Sequence, residues 1–342
     1  MIRRSLNGLV EMWKYTPRMP IGARLLVVYG PLPSIIWLSL SHSMRANSHE
    51  FIYRVSDIEL ICAEGKAMAI QPLLQFKDGS ARVALVTGGA GGIGAATAKA
   101  LAAHGAAVMV TDISEHAVAA VVDTIRETGG EASGCVLDVG DPEAWEAARL
   151  QLNETYGRLS ILVNNAGIDV IKSVADTTLA DWDRLFRVNS TAMFLGTRCF
   201  LDDLDESGQR TGTYSSIINM SSICGNIGVA FQSAYCATKG AVRMFTKAAA
   251  VEFGSLGKRV RINSIHPGTV DTAFAAQCLK ELGEAGFAPS PAEAREAIRA
   301  AHPIGNMASG DDIADAIVFL ASDLSRFMTG SEMLVDGGYT AQ

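Results

Sequence analysis

The chain of 342 residues has 49% hydrophobic and 19% charged residues, a globular composition that excludes a disordered tail protein, a collagen-like repeat and a disulfide-knotted secreted peptide. Its length allows either two domains or one α/β domain with an appendage. The net charge of −7 is uneven, since residues 1–79 carry +3 and the remainder carries −10. An acidic main body argues against nucleic acid as a partner, because phosphate binding requires a basic surface.

The cysteines are scattered, without a CxxC pair and without the spacing of metal ligands. This pattern is typical of reduced thiols and predicts a cytoplasmic protein with neither a disulfide framework nor a zinc site. None of these thiols is expected to be catalytic. The six cysteines are Cys62, Cys135, Cys199, Cys224, Cys236 and Cys278.

Residues 1–79 are predicted to form an irregular N-terminal extension. The apolar run over 25–40 is shorter than the about 20 residues of a membrane-spanning helix, and Pro31 and Pro33 would kink a helix there. Basic residues precede the run, so a membrane-surface anchor and a targeting peptide are the alternatives to a dispensable extension. The dispensable extension is favoured, and Met44 and Met68 could each serve as an alternative start.

From Ala81 onward, short apolar runs alternate with amphipathic stretches of 10–15 residues. This alternation predicts βαβ units and a parallel sheet with helices on both faces. Residues 80–342 therefore form a single doubly wound α/β domain of Rossmann type with a seven-stranded parallel sheet. The predicted strands are 82–87, 107–112, 132–138, 159–164, 215–220, 261–265 and 332–335. The predicted helices are 93–104, 115–127, 142–156, 179–204, 233–256 and 311–322.

A glycine-rich string, TGGAGGIG, lies where the first predicted strand passes into the first helix. Gly88, Gly92 and Gly94 permit a tight turn and let backbone N–H groups approach a pyrophosphate. The helix that begins at Ile93 directs its positive N-terminal end toward the same place. Because the string has the required strand–turn–helix context, it predicts a dinucleotide site.

Asp112 ends the second predicted strand, 18 residues after Gly94. A carboxylate there can accept hydrogen bonds from the adenosine ribose and would repel a 2′-phosphate. Neither Ala90 nor Gly91 supplies a cation to offset that repulsion, so the sequence favours NAD over NADP. The alternative role for Asp112 is to cap the next helix, which Ser114 could do as well.

Two further strand ends supply candidate cofactor contacts. Asp138 and Val139 follow the third strand, where the carboxylate could bind the adenine amino group. Asn165 belongs to the NNAG sequence that closes the fourth strand, and ligands bind at this edge of such sheets.

Tyr235 and Lys239 stand four residues apart on a predicted helix and therefore share one face. A free tyrosine has a pKa of about 10. A neighbouring ammonium and an oxidised nicotinamide would both favour the phenolate and move the tyrosine pKa into the range useful for acid–base catalysis. Ser222 can donate a hydrogen bond to a substrate oxygen, and Asn189 could hold a water that links Lys239 to solvent.

These motifs, with PGTVDT at 267–272, resemble the short-chain dehydrogenase/reductase family over residues 81–342. The resemblance implies that Tyr235 is the acid/base and that Lys239 binds the nicotinamide ribose. It further implies that Ser222 orients the substrate and that Asn189 completes the tetrad. The cofactor contacts implied by the resemblance are Asn165, Val270 and Thr272.

The stretch 272–304 covers the substrate in this family. Here it is apolar with mixed charges and no basic cluster to hold a phosphate, which favours a small uncharged alcohol or ketone. The same residues could instead only pack a helix on the core. The sequence around Tyr235 and the ending GSEMLVDGGYTAQ are similar to bacterial secondary-alcohol, cyclic-alcohol and hydroxysteroid dehydrogenases.

Two alternatives to an NAD-dependent secondary-alcohol dehydrogenase stay open. A 3-oxoacyl thioester reductase of the same family would prefer NADP and basic docking residues, and Asp112 argues against it. A non-catalytic NAD-binding regulator would not need the intact tetrad. His266 is interpreted as a strand-end residue, since Tyr235 already fills the acid/base role.

The resemblance also implies a homotetramer built on the last strand and on the helices around Asn189 and Tyr235. The final residues are similar to the tail of an R-specific alcohol dehydrogenase, whose terminal carboxylate takes part in a magnesium site between subunits. A terminal carboxylate suits Mg²⁺, but no metal site is predicted here.

Overall fold

The computed structural model describes strand backbone at residues 24–28, 34–43 and 52–62, and then residues 72–284, 286 and 289–342. The chain divides into two units, residues 1–71 and 72–342. In the first unit, β1 (Arg24–Val28), β2 (Ser34–Ser43) and β3 (Ile52–Cys62) form an antiparallel sheet in that order. The prediction of an irregular extension did not include these strands.

The second unit begins before the predicted boundary at 79/80. Leu74 is fully buried within it, and its N–H donates to the carbonyl of His104 at 3.0 Å. That the first unit is dispensable, or else associated with a membrane, stays a prediction. Within the part of the chain that the structure describes, no helix has both the length and the apolar character that a membrane crossing requires.

The second unit contains the predicted seven-stranded parallel sheet, in the order β10-β9-β8-β7-β4-β5-β6. The chain runs outward from β4 to β6, returns to the other side of β4 and continues to β10. The order therefore reverses between β4 and β7, where ligands bind in doubly wound sheets. The strands are β4 (Val83–Thr87), β5 (Ala107–Asp112), β6 (Glu131–Val136), β7 (Ile161–Asn164), β8 (Ser215–Met220), β9 (Val260–Pro267) and β10 (Glu332–Val335).

Helices cover both faces of the sheet, so the central strands are buried throughout. Successive strand residues point to opposite faces. In β4, Ala84 and Val86 pack in one core and Val83 and Leu85 in the other. The helices are α1 (Gly92–Ala103), α2 (Glu115–Glu127), α3 (Pro142–Tyr156), α4 (Leu179–Phe186), α5 (Ala192–Thr211), α6 (Ser233–Ser255), α7 (Ala273–Glu284), α8 (Pro291–Ala300) and α9 (Gly310–Ala321).

The helix predicted over 179–204 is interrupted. A wider π-helical turn, Arg187–Thr191, separates α4 from α5, and α5 continues to Thr211. Such turns are common at functional sites, and this one contains Asn189. Within the stretch predicted to cover the substrate, α7 and α8 form two separate helices.

Candidate active site

The glycine-rich loop connects β4 to α1 at the point where the strand order reverses. Gly88 and Gly92 have φ values of +60° and +51°, in the left-handed region that favours glycine. A Cβ atom on Gly94 would lie 2.0 Å from the carbonyl oxygen of Gly88. The Asn165 amide nitrogen donates to the carbonyls of Thr87 at 2.9 Å and Gly88 at 3.1 Å, so the NNAG loop supports the glycine loop.

Asp112 lies at the end of β5 beside the glycine-rich loop. Its carboxylate accepts hydrogen bonds from the backbone N–H groups of Ile113 at 2.8 Å and Ala90 at 3.3 Å. Ser114 caps α2, and its hydroxyl oxygen accepts from Ala117 N at 3.4 Å. Asp112 is therefore not the helix cap, and a contact between its carboxylate and the cofactor ribose stays a prediction.

Asp138 and Val139 lie outside the large cleft described below. The Asp138 carboxylate accepts from Gly140 N at 2.8 Å and forms an ion pair with Arg187 at 3.5 Å. Val139 is buried, and its carbonyl accepts from the indole nitrogen of Trp145 at 2.8 Å. A contact between Asp138 and adenine stays a prediction.

Most of the predicted site residues line one cleft of about 590 Å³, a volume within the range of small-molecule sites. Many of the other lining residues are apolar, among them Ile171, Val229, Leu279, Leu282 and Ile298. The predicted residues that line the cleft are Gly88, Gly92, Ile93, Gly94, Asp112, Asn165, Ser222, Tyr235, Lys239, Val270 and Thr272.

Tyr235 and Lys239 lie on the first turns of α6, both buried. The Lys239 Nζ atom is 5.5 Å from the centre of the Tyr235 ring and donates to the carbonyl of Met220, at the end of β8, at 2.8 Å. Burial lowers the pKa of Lys239 to about 8.

Burial also raises the pKa of Tyr235 well above its usual value, and a hydrogen bond with Ser222 opposes this only in part. The sequence-based expectation was a lower tyrosine pKa. The protein's own groups shift this pKa upward instead, because the buried phenolate loses its hydration.

Ser222 follows β8 at the start of a short 3₁₀ turn, Ile223–Gly225. Its hydroxyl oxygen accepts from Cys224 N at 3.1 Å, so the O–H serves as the donor, as in its hydrogen bond with Tyr235. His266, a buried residue of β9 as predicted, bonds through Nδ1 to the Ser222 carbonyl at 3.1 Å and through Nε2 to the Ser264 hydroxyl at 2.8 Å. Burial lowers the pKa of His266, which favours the neutral imidazole. Through its hydrogen bond to the Ser222 carbonyl, the ring supports the Ser222 turn.

Asn189 is 3% exposed and ties the NNAG loop to α6. Its amide nitrogen donates to the Ile168 carbonyl at 2.9 Å and to the Thr238 hydroxyl at 3.1 Å, and its oxygen accepts from Ile168 N at 2.8 Å. A Cβ atom on Gly167 would lie 3.4 Å from the Asn189 oxygen and 3.5 Å from Lys239 Nζ, so these two side chains flank the same glycine. A water between them stays a prediction.

Asp169, which the sequence analysis did not single out, also lines the cleft. Burial raises the pKa of this carboxyl, although hydrogen bonds from Gln232, Val170 and Cys278 oppose the shift. The charge of Asp169 in turn raises the pKa values of Tyr235 and Lys239. In the sequence, the indication that Asp169 lies at the site was its position two residues after the NNAG motif.

Comparison with known proteins supports the resemblance inferred from the motifs. The family model described as enoyl-(acyl carrier protein) reductase matches residues 88–340. A cyclopentanol dehydrogenase of Comamonas testosteroni is 40% identical over 260 residues, covering 76% of this chain and 97% of the relative. The chain belongs to the short-chain dehydrogenase/reductase family.

Two other relatives in the short-chain dehydrogenase/reductase family are similarly close. An NADP-dependent (R)-specific alcohol dehydrogenase of Lentilactobacillus kefiri is 39% identical over 267 residues, 76% of this chain and 97% of the relative. A 3-alpha-(or 20-beta)-hydroxysteroid dehydrogenase of Mycobacterium tuberculosis is 38% identical over 260 residues, 76% of this chain and 90% of the relative.

No group of three or more His, Cys, Asp or Glu side chains is placed to hold a metal ion within the described parts of this short-chain dehydrogenase/reductase.

Proposed function

We propose that this oxidoreductase is NAD-dependent and transfers a hydride between a secondary alcohol and the nicotinamide, giving the ketone. The observation that carries the proposal is that Ser222, Tyr235 and Lys239 line the same cleft as the glycine-rich loop and Asp112. The relatives named for cyclopentanol and for hydroxysteroids support a cyclic or steroid-like alcohol.

In the proposed mechanism, Tyr235 accepts the hydroxyl proton of the alcohol during oxidation and returns it during reduction. Ser222 donates its O–H to the same substrate oxygen, since its own oxygen already accepts from Cys224 N. Lys239, fixed by the Met220 carbonyl, favours the phenolate when it is protonated. The nicotinamide, when bound, supplies the hydride acceptor or donor. The proton on Tyr235 and the hydride together account for the two hydrogens that the alcohol loses.

The preference for NAD rests on Asp112. Its carboxylate lines the cleft next to Ala90 N, where it would accept from a ribose hydroxyl and repel a 2′-phosphate. One relative is named as NADP-dependent, so the preference needs a direct test. Comparing the KM values for NAD and NADP at fixed alcohol concentration provides that test. Equal values would contradict the assignment.

The two competing functions have less support in the structure. Among the described residues that line the cleft, Lys239 is the only basic one, whereas a thioester reductase would need cations for a phosphopantetheine arm. A non-catalytic regulator would have no use for a tyrosine and a lysine buried together beside the cofactor loop.

The test is to follow NADH absorbance with a panel of aliphatic, cyclic and steroid secondary alcohols. Tyr235→Phe removes one hydroxyl and should lower turnover by about 10²- to 10⁴-fold while NAD affinity is retained. Tyr156→Phe, on α3 and away from the cleft, is the matched control and should behave as the wild type. Retained turnover in Tyr235→Phe would remove this residue from the mechanism.

We also propose a homotetramer in the cytoplasm. Exposed apolar side chains on α5, α6 and β10 support the assembly, namely Phe194, Met244, Val251 and Leu334. Light scattering coupled to gel filtration measures the mass in solution. Replacing Met244 and Val251 with glutamate should then dissociate the assembly.

A further inference from the structure

Asp169 introduces a carboxylate into a cleft that is otherwise mostly apolar near the catalytic tyrosine. It lies in the loop after β7, directly after Ile168. The backbone N–H and the carbonyl of Ile168 both form hydrogen bonds with the Asn189 side chain. Asp169 shares the lining of the cleft with Gln232, Ser222 and Tyr235.

The Asp169 carboxylate is held by three donors from different parts of the chain. Its Oδ1 atom accepts from Val170 N at 2.7 Å. Its Oδ2 atom accepts from the Gln232 amide nitrogen in a close contact and from the Cys278 thiol at 3.8 Å. A carboxylate has about four acceptor positions. Among the described contacts three are used, which leaves one position on Oδ1.

A carboxylate at this position is energetically unfavourable for two reasons. Burial disfavours the charged form, and the negative charge makes it harder to form the phenolate of Tyr235. The contacts with Gln232 and Cys278 could be provided by a neutral side chain such as asparagine. A ligand that uses the free acceptor position would account for the charge.

We propose that Asp169 is a specificity-determining residue that accepts a hydrogen bond from a second hydroxyl group of the substrate. The substrate is then a diol or a hydroxyketone, with its reacting oxygen at Tyr235 and Ser222 and its other hydroxyl at Asp169 Oδ1. This inference rests on the proposed alcohol dehydrogenase function. It also predicts that alcohols with a carboxylate substituent are excluded by charge repulsion.

The experiment compares kcat/KM for cyclohexanol with that for the cis and trans isomers of 1,2-, 1,3- and 1,4-cyclohexanediol. In the wild type the best diol should exceed cyclohexanol by about 10- to 100-fold, the range for a hydrogen bond to a charged group. Asp169→Ala should bring this ratio close to one, and Asp169→Asn should give an intermediate ratio. Asp183→Asn, which removes an exposed carboxylate from α4, is the control and should keep the wild-type ratio.

A second readout separates recognition from a role in folding alone. Asp169→Asn should raise kcat/KM for 2-hydroxycyclohexanecarboxylate about 10-fold or more, because it removes the repelling charge. A loss of packing would not create this gain. The inference is overturned if no diol exceeds cyclohexanol, or if the ratio is the same in Asp169→Ala and the wild type.

Failure of the proposed function would give a different result. In that case the wild type turns over neither cyclohexanol nor any diol with NAD or NADP. Thermal shift of the enzyme–NADH complex then tests the Asp169 site without turnover. A larger shift with a diol than with cyclohexanol, lost in Asp169→Ala, would support the site, and equal shifts would overturn it.

Discussion

Replacing Gly94 with alanine should uncouple the glycine-rich loop from α1. The added Cβ atom would lie 2.0 Å from the Gly88 carbonyl oxygen and 2.6 Å from the Asn165 amide nitrogen. The first neighbour is backbone, which cannot rotate away as the end of a flexible side chain can. The loop and the helix must therefore move apart.

The size of this effect follows from the contact distance. Ordinary Cβ contacts begin at 3.4 Å, so the separation must grow by about 1.4 Å. A misplacement of about 1 Å in an active site costs about 10²-fold in catalytic rate, and we take the same scale for cofactor binding. Overpacking of this kind destabilises a protein by about 1–3 kcal/mol. We expect at least a 100-fold loss of affinity for the nicotinamide cofactor. The fall in Tm should be about 2–4 °C for each kcal/mol lost.

Gly91→Ala is the matched control in the same loop. A Cβ atom on Gly91 has no neighbour within 4 Å, and its backbone is extended. Its effect on stability should stay within about 0.5 kcal/mol, as at most surface positions. NADH affinity from fluorescence titration and thermal melting would be measured for both variants. Wild-type affinity in Gly94→Ala, or equal losses in the two variants, would refute the close-approach argument.

Two pH-dependent predictions follow from buried and paired groups. Burial would raise the pKa of Glu332, but Lys247, Arg243 and Asn226 together lower it to about 2. The stability that Glu332 contributes is therefore present at neutral pH and is lost as the pH falls from about 4.5 toward 2. Glu332→Gln should cost about 1–3 kcal/mol in urea unfolding at pH 7, and an unchanged difference at pH 3 would contradict the ion-pair argument. Because burial raises the pKa of Tyr235, kcat/KM for alcohol oxidation should rise with pH into the alkaline range, whereas ketone reduction should fall. Profiles in both directions between pH 6 and 10 check this, and parallel profiles would be inconsistent with a tyrosine acid/base.

The sheet could be predicted from the sequence because most of its strands are buried on both faces and appear as short continuous apolar runs. The predicted boundaries of β5, β8 and β10 match the structure, as do those of α2 and α3. The glycine-rich loop was recognisable because its backbone needs glycine where a side chain would collide. The family assignment rested on these local patterns and is confirmed.

Features that depend on tertiary contacts were not predicted. The π-helical turn at Arg187–Thr191 lies inside the stretch predicted as one helix, and it contains Asn189, whose side chain bonds to Ile168 and Thr238 in other parts of the chain. Asp169 has no local motif, since its partners Gln232 and Cys278 are 63 and 109 residues away in the chain. The direction of the Tyr235 pKa shift also required knowledge of burial, which the YxxxK spacing does not contain.

The residues that line the cleft come from several separate parts of the chain. The glycine-rich loop and Asp112 belong to the first strands of the sheet, whereas much of the apolar lining comes from α7 and α8, which follow β9 as one continuous stretch. Because those two helices are not part of the sheet, both could be replaced together by the corresponding segment of a relative. Such a graft would change which ring or chain the enzyme accepts while the hydride-transfer apparatus stays in place. Replacing this one segment could therefore change part of the substrate specificity, while Asp169 and the glycine-rich loop stay unchanged.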